Sequence, residues 1–217
     1  MAENKVTKHS AQAGRPTAAQ AEKRHRELLD EAMNLFLTTG FELTTLDAIA
    51  EVMHMTKRTI YGLYTNKEEL FKAALNHAIE SNLVPLSKLE EMETGDLEST
   101  LVMLANTMVQ NYVSPEGLRL HRVVNAESYR FPELTWLIYE KNTKPTIEFL
   151  KDLFARHTDT DLLQIERPEA TGALFFSMAV GAPARAYLSG GPLADAVDLD
   201  DYIRHSVHLF LNGIRRR

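Results

Sequence analysis

The stretch TKRTIY, residues 56–61, places two cations and a phenol among hydroxyl side chains. Lys57 and Arg58 can pair with phosphates, and an arginine can also donate two hydrogen bonds to the edge of a guanine. Thr59 and Tyr61 can donate hydrogen bonds to phosphate oxygens. Taken singly, each residue is typical of any solvated surface, but together they favour binding to duplex DNA.

Three further candidates lie where helices are predicted to begin: Thr45, Thr56 and Lys67. The unpaired N–H groups of a first helical turn and the positive end of the helix dipole attract phosphate. A threonine at such a position can equally act as a plain helix cap. The residues themselves leave both roles open.

The residues around these candidates predict four helices in close succession. Apolar residues recur at three- and four-residue spacing up to Thr39, and Gly40 follows where a helix end favours glycine. The bend MHMT, residues 53–56, separates two short helices, and such a pair packed on a longer first helix forms a helix-turn-helix. The predicted spans are 17–39, a second helix from Thr44 or Thr45 to the bend, 56–64 and 66–84.

Charge is unevenly distributed along the chain. The net charge is −6, but residues 1–76 contain ten basic and ten acidic residues, so the negative excess lies entirely in residues 77–217. Residues 52–67 contain three cations and no acid. This distribution is compatible with a polyanion site near the bend, and also with ordinary surface scatter.

Enzyme and metal chemistry have weaker support. The sequence lacks a glycine-rich phosphate loop, a GxSxG motif and an HExxH motif. His205 and His208 could share a helix face as metal ligands, with Asp200 and Asp201 nearby, but a surface or interface pair is the simpler interpretation. We expect no enzymatic activity, no metal site and no cofactor.

Composition indicates a reducing compartment. There is no cysteine, which excludes disulfides and cysteine metal sites. No apolar run approaches the ~18 residues of a membrane span, and the first twenty residues lack the apolar core of a signal peptide. We expect a cytoplasmic protein with no membrane partner.

Residues from about 24 to 75 resemble the DNA-binding domain of the TetR family of bacterial regulators. The stretch RLHRVVNAESYRFPEL, residues 119–134, is similar to the C-terminal domain of the AefR-like branch. The first resemblance covers roughly a quarter of the chain and is carried by the ordered run Gly40-Phe41, Thr44-Thr45, Ile49-Ala50, Thr56, Ile60-Tyr61, Tyr64, Asn66-Lys67-Glu68 and Leu70.

The resemblance implies a homodimer that binds a near-palindromic DNA operator. It implies phosphate contacts for Thr45, Tyr61 and Lys67, and phosphate or base contacts for the stretch from Thr56 to Thr59. The chain departs from the family at three positions. His54 stands where glycine is favoured for a positive φ, Leu63 replaces a polar residue near the DNA backbone, and Tyr64 replaces a phenylalanine and is expected to pack.

The chain is predicted to be all-α and to have three parts. Residues 1–17 form a flexible N-terminal arm, in which Arg15 could enter a minor groove. Residues 18–75 form the helix-turn-helix domain. Residues 76–217 form a larger helical domain for ligand binding and dimerisation, with breaks at prolines and glycines that include Pro145. Its predicted helices are about 96–113, 116–129, 132–141, 145–157, 168–189 and 199–215.

The last two predicted helices, 168–189 and 199–215, are apolar on more than one face. Such helices must bury more than one face, so we expect them to pair with their symmetry mates as a four-helix dimer interface. The alternative is that both simply belong to the core of a monomer.

The family resemblance also implies a small-molecule inducer in the C-terminal domain. We predict a ligand site near Met103, Tyr112, His121 and Trp136, because helical cores host cavities lined by apolar and a few polar groups. Each of these residues could instead belong to an ordinary core. The expected function is a repressor released by its ligand. The alternative is a helical ligand-binding or interaction protein that has lost DNA binding.

Overall fold

The computed structural model describes residues 17–158, 163–190 and 198–215. Within them the chain is helical throughout and has no β-strand, which confirms the all-α prediction; Leu163 and Arg215 form one isolated bridge. Residues 1–16 of the predicted N-terminal arm, with Arg15, lie outside the described residues. The helices are α1 (Ala18–Thr39), α2 (Leu46–Val52), α3 (Lys57–Leu63), α4 (Lys67–Ser81), α5 (Leu86–Glu90), α6 (Leu97–Val113), α7 (Pro115–Glu127), α8 (Glu133–Ile138), α9 (Lys144–Thr158), α10 (Pro168–Phe176), α11 (Ala182–Ser189) and α12 (Leu199–Ile214).

The first four helices begin at side-chain caps that the sequence predicts. Thr17, Thr45, Thr56 and Asn66 each accept a hydrogen bond from a backbone N–H in the first turn. Gly40 ends α1 with a φ of +86°, which only glycine adopts readily. Helix α4 ends at Ser81, with Asn82 as its C-cap, rather than near residue 84.

The helix-turn-helix has its own apolar core, which the C-terminal part of the chain completes. Buried side chains from α1, α2, α3 and α4 meet at its centre, among them Phe36, Ile49, Ile60 and Phe71. Four residues from α7, α8 and the loop between them join the same cluster: Leu120, Val124, Phe131 and Leu134. Helices α1–α4 are called the reading head below.

A second core lies between α6, α9, α10 and α12. It contains fully buried Leu104, Phe154 and Phe175, together with Val207 from the last helix. The short helix α5 follows Pro85 and was not predicted. None of the helices in the described ranges is long and apolar enough to cross a membrane.

The predicted break at Pro145 is wrong. Helices α8 and α9 are continuous through a π-helical turn, Tyr139–Thr143, and a second π-helical turn, Ser177–Gly181, joins α10 to α11. Each turn is followed two residues later by a proline, Pro145 or Pro183. A proline lacks the N–H that would bond four residues back and its ring clashes with that carbonyl, so the wider π repeat relieves the conflict and the helix continues.

Candidate DNA-reading surface and ligand cavity

Helix α3 turns one side chain inward and leaves its polar side chains in solvent. Ile60 is fully buried in the reading head, whereas Lys57, Arg58 and Thr59 are exposed and Tyr61 is 52% exposed. Because α3 is only seven residues long, its first turn provides most of its exposed surface. The structure therefore leaves all the predicted α3 candidates accessible to a partner.

Lys57 is held at the start of α2. Its Nζ lies 2.5 Å from Oδ2 of Asp47, and the hydrogen bond with this carboxylate raises the pKa of Lys57 above its ordinary value. The other oxygen of Asp47, Oδ1, is buried and has no hydrogen-bond partner among the described residues. A phosphate that bound Lys57 would therefore share its ammonium with Asp47.

The two threonine candidates are helix caps. Thr45 Oγ1 accepts from the N–H of Ala48 at 3.1 Å. Thr56 Oγ1 accepts from the N–H of Thr59 at 3.2 Å and lies 2.8 Å from the Thr59 hydroxyl. Because both threonines are exposed, capping leaves their hydroxyls accessible to a further partner.

Lys67 has a structural role that the sequence did not reveal. Its Nζ donates to the carbonyls of Phe41 at 2.7 Å and Glu42 at 3.0 Å, and it lies 4.4 Å from the centre of the Phe41 ring. The side chain therefore closes the loop between α1 and α2. A phosphate contact by Lys67 stays a prediction, and its ammonium would reach DNA from this anchored position.

The departures at the bend and at the end of α3 have clear structural outcomes. His54 has a φ of +51°, as expected for a residue at the glycine position. Tyr64 is 6% exposed and packs, as expected, with its hydroxyl 2.7 Å from Nε2 of His25 in α1. Leu63 is 47% exposed at the edge of the reading head, where it offers no polar contact.

Below the reading head, a narrow cavity lies between α4, α6, α7 and both π-helical turns. Tyr112 and His121 line it with their rings stacked 3.8 Å apart at 15°. Asn142 and Val180 come from the two π-helical turns, which are common at functional sites. The cavity is small, with a volume of only about 30 Å³.

The cavity lining carries no formal charge. No Asp, Glu, Lys or Arg lines it among the described residues, and its polar groups are asparagines, Thr146, Tyr112 and His121. Burial lowers the pKa of His121 to about 4 and raises the pKa of Tyr112, so both are neutral at pH 7. Sequence reasoning missed the asparagines Asn82, Asn111 and Asn142, because they come from separate helices and form no motif.

Two of the four predicted ligand residues lie elsewhere. Met103 is 40% exposed, because the buried stripe of α6 runs through Leu101, Leu104 and Met108 and excludes position 103. Trp136 is 61% exposed on α8 and stacks on Tyr139 at 5.3 Å. Met103 and Trp136 therefore do not line this cavity, and a part for them in ligand binding stays a prediction.

Met103 instead lines a surface groove with His205 and His208. Both histidines are exposed on α12, and Nε2 of His208 lies 2.9 Å from Nδ2 of Asn212. Within the described ranges, no group of three or more His, Cys, Asp or Glu side chains is arranged to hold a metal ion.

Two family models match separate parts of the chain. Residues 28–74 match the family model for bacterial regulatory proteins of the tetR family. Residues 99–213, more than half of the chain, match the model for the C-terminal domain of AefR-like transcriptional repressors.

Curated relatives align over part of their length. The chain is 34% identical over 85 residues to the DNA-binding transcriptional repressor TetR of Mycobacteroides abscessus, covering 39% of this chain and 42% of that protein. It is 30% identical over 114 residues to the uncharacterized HTH-type transcriptional regulator YdeS of Bacillus subtilis, covering 52% of each. The alignments thus span about two fifths to one half of these relatives.

Solved structures align over nearly the whole chain. A TetR-family regulator from Mesorhizobium loti has a TM-score of 0.75 at 24% identity, covering 91% of this chain and 99% of that one, which shows the fold. The flavonoid-responsive regulator FrrA has a TM-score of 0.71 at 26% identity, covering 90% and 99%. The chain therefore belongs to the TetR family of bacterial regulatory proteins, with an AefR-like C-terminal domain, and is a DNA-binding helix-turn-helix transcriptional regulator.

Proposed function

We propose that two copies of this chain form a homodimer that represses transcription by binding a near-palindromic operator in the cytoplasm. Residues 18–75 would read the DNA, and residues 76–217 would dimerise and bind a small uncharged ligand that releases the operator. No enzymatic activity is part of this proposal, since the family is a regulatory, DNA-binding one.

The observation that carries the proposal is the exposed face of α3. Arg58 is exposed, as is the Tyr61 phenol, on a helix whose inner side is fixed by the fully buried Ile60. An arginine on a helix fixed in this way can donate two hydrogen bonds to a guanine in the major groove. The Tyr61 phenol and the helix-capping threonines Thr45 and Thr56 would bind phosphates. A base-reading group on a fixed helix, flanked by phosphate-binding groups, is what sequence-specific binding requires.

Dimerisation is supported by apolar side chains left in solvent on two of the C-terminal helices. Leu174 on α10 is 67% exposed and Leu209 on α12 is 54% exposed. Both helices lie in the regions predicted to pair with their symmetry mates, and burying these leucines in an isologous interface removes them from water. Two reading heads about 34 Å apart would then reach successive major grooves.

The ligand class follows from the lining of the cavity. An uncharged lining with several amides and hydroxyls suits an uncharged molecule that exchanges hydrogen bonds, because a buried charge without a partner is costly. FrrA, a similar structure, is flavonoid-responsive by name, which makes flavonoids the first compounds to test. A molecule of that size requires the cavity to widen, and this is how a ligand would favour a second conformation.

Selection of binding sites from random duplex DNA tests the DNA-binding part of the proposal. We expect an inverted repeat, with affinity that falls steeply as the salt concentration rises. If the purified dimer selects no specific sequence, the result would instead favour the alternative function, a helical ligand-binding or interaction protein that has lost DNA binding.

The ligand part has a separate test. Uncharged flavonoids are titrated into the operator complex, with their sulfated counterparts as matched controls, and release of the DNA is followed by fluorescence anisotropy. We expect release by uncharged compounds only. Equal release by the sulfated compounds would contradict an uncharged site, and release by neither would reject flavonoids as the ligand class.

A further inference from the structure

Phe131 lies in the stretch that resembles AefR-like proteins, yet it packs into the reading head. Its side chain is 5% exposed and belongs to the apolar cluster of α1–α4. The ring centre lies 5.2 Å from that of Phe41 and 5.5 Å from that of Phe71. The loop between α7 and α8 therefore inserts an aromatic anchor into the DNA-binding domain.

Arg130, the preceding residue, holds the same loop from the outside. Its guanidinium lies 4.6 Å from the centre of the Phe41 ring and pairs with Glu42 in the loop between α1 and α2. It also lies 3.6 Å from Glu68 in the first turn of α4. One side chain thus contacts two separate parts of the reading head.

The segment that follows runs along one face of α4. Glu133 pairs with Lys72 at 2.5 Å, and Lys141 pairs with Glu80. Residues 68, 72 and 80 are separated by multiples of four and so share a helix face. The ion pairs are exposed and individually weak, and their common effect is to align the two helices.

The far end of this segment lines the cavity. Ile138 and Asn142 line it together with Ile79 of α4 and with Asn82, which follows α4. A continuous stretch of the C-terminal part, residues 130–142, therefore contacts the reading head along its length and lines the cavity at its far end.

We infer that Arg130 and Phe131 are positioning residues that fix the orientation of the reading head on the C-terminal part of the chain. The inference rests on the proposed function only in its consequence, namely that this orientation sets operator affinity. The orientation itself is a property of one chain and can be measured without DNA, ligand or a dimer.

The test is a distance measurement between two spin labels in a single chain. The sequence contains no cysteine, so Glu51→Cys on α2 and Gln110→Cys on α6 are the only labelling sites, and both positions are exposed. Labelled chains are diluted with unlabelled ones so that pulsed dipolar spectroscopy reports the distance within a chain. Arg130→Ala is compared with Arg122→Ala, an exposed arginine of α7 that makes no ion pair among the described residues.

We expect one narrow distance distribution in the parent and in Arg122→Ala. In Arg130→Ala the distribution broadens and its maximum shifts, while the helical content from circular dichroism is unchanged. Arg130→Lys restores part of the parent distribution, because lysine keeps the charge but not the fork of donors. An unchanged distribution in Arg130→Ala would overturn the inference.

Phe131→Leu provides a second variant that keeps an apolar anchor but removes the ring contacts. It is expected to broaden the distribution without unfolding the reading head, and a parent-like distribution would assign the positioning role to Arg130 alone. A monomeric or non-DNA-binding parent would contradict the proposed function and would leave these distances interpretable.

Discussion

Arg58 and Tyr61 are the side chains of α3 on which sequence recognition is expected to depend most. Neither makes a hydrogen bond within the described part of the chain, and both are exposed. Lys57, by contrast, is already paired with Asp47, and the Thr56 hydroxyl already caps the helix. Free hydrogen-bonding capacity thus separates side chains that can read bases from those that mainly position the helix.

Replacement of Arg58 and Tyr61 by alanine should abolish specific operator binding. Loss of a bidentate arginine contact is expected to cost about 1–3 kcal/mol, roughly a 5- to 150-fold weakening, and loss of the phenol adds to it. Fluorescence anisotropy with the selected operator measures the effect. The dimer should stay intact in analytical ultracentrifugation, and its dissociation would show that these residues lie on a different surface.

His121 should make the stability of the protein depend on pH. Its pKa is about 4 in the folded chain, lowered by burial, against an ordinary value of about 6.5 in the unfolded chain. The unfolded chain therefore binds more protons between pH 6.5 and 4. The stabilising effect of the neutral ring is complete above pH 6.5 and is lost as the pH falls towards 4.

In denaturant unfolding, this residue should contribute a loss of about 1–2 kcal/mol between pH 7 and pH 5. His121→Phe keeps a ring beside Tyr112 and removes the titrating group, so the difference between variant and parent isolates the effect from that of the carboxylates. An identical pH dependence in the two proteins would contradict the burial of His121.

At the scale of elements, α6 and α7 approach each other closely at their junction beside the cavity. A Cβ on Gly117 would lie 2.4 Å from the carbonyl oxygen of Asn111 and 2.5 Å from that of Tyr112. The Gly117 N–H also donates to Ser114 Oγ at 3.0 Å, which caps α7. The close approach sets where Tyr112 and His121 meet.

Gly117→Ala should therefore destabilise the fold by about 1–3 kcal/mol, since backbone atoms must move to admit the methyl group. Gly62→Ala in α3 is the matched control, because a Cβ there meets nothing within 4 Å and alanine favours a helix by about 0.5–1 kcal/mol. Thermal unfolding measures both. A Gly117→Ala protein as stable as the parent would mean that the two helices can separate at little cost.

The sequence predicted the elements of the reading head better than those of the cavity. Hydroxyl and amide caps mark where α1–α4 begin, and Gly40 marks where α1 ends. These signals are local in the sequence. The break assigned to Pro145 failed, because a π-helical turn absorbs the proline and leaves no local signature. Met103 and Trp136 lie outside the cavity for a related reason: residue type does not tell which face of a helix meets a cavity.

At the scale of the whole molecule, the predicted dimer interface has a direct test. Leu174→Arg combined with Leu209→Arg should give monomers, because both side chains would place unpaired charges of the same sign in an apolar interface. The operator affinity should fall about 100-fold or more, since the two heads then bind independently. Sedimentation velocity and anisotropy measure the two effects.

Leu86→Arg is the matched control for this pair. Leu86 is 47% exposed on α5, outside the predicted interface, so the variant should remain a dimer with unchanged operator affinity. Monomers from this control, or dimers from the double variant, would move the interface away from α10 and α12.

The two π-helical turns should also be reflected in sequence differences among related proteins. An i→i+5 turn holds one residue more than an α-helical turn, so losing that residue rotates the helix beyond it by about 100°. Such a deletion would carry Asn142 to a new face relative to Thr146, and it would be tolerated only if Pro145 were replaced in the same lineage. Helix length and proline are therefore expected to change together among related sequences, and each paired change would alter the set of molecules to which a regulator responds.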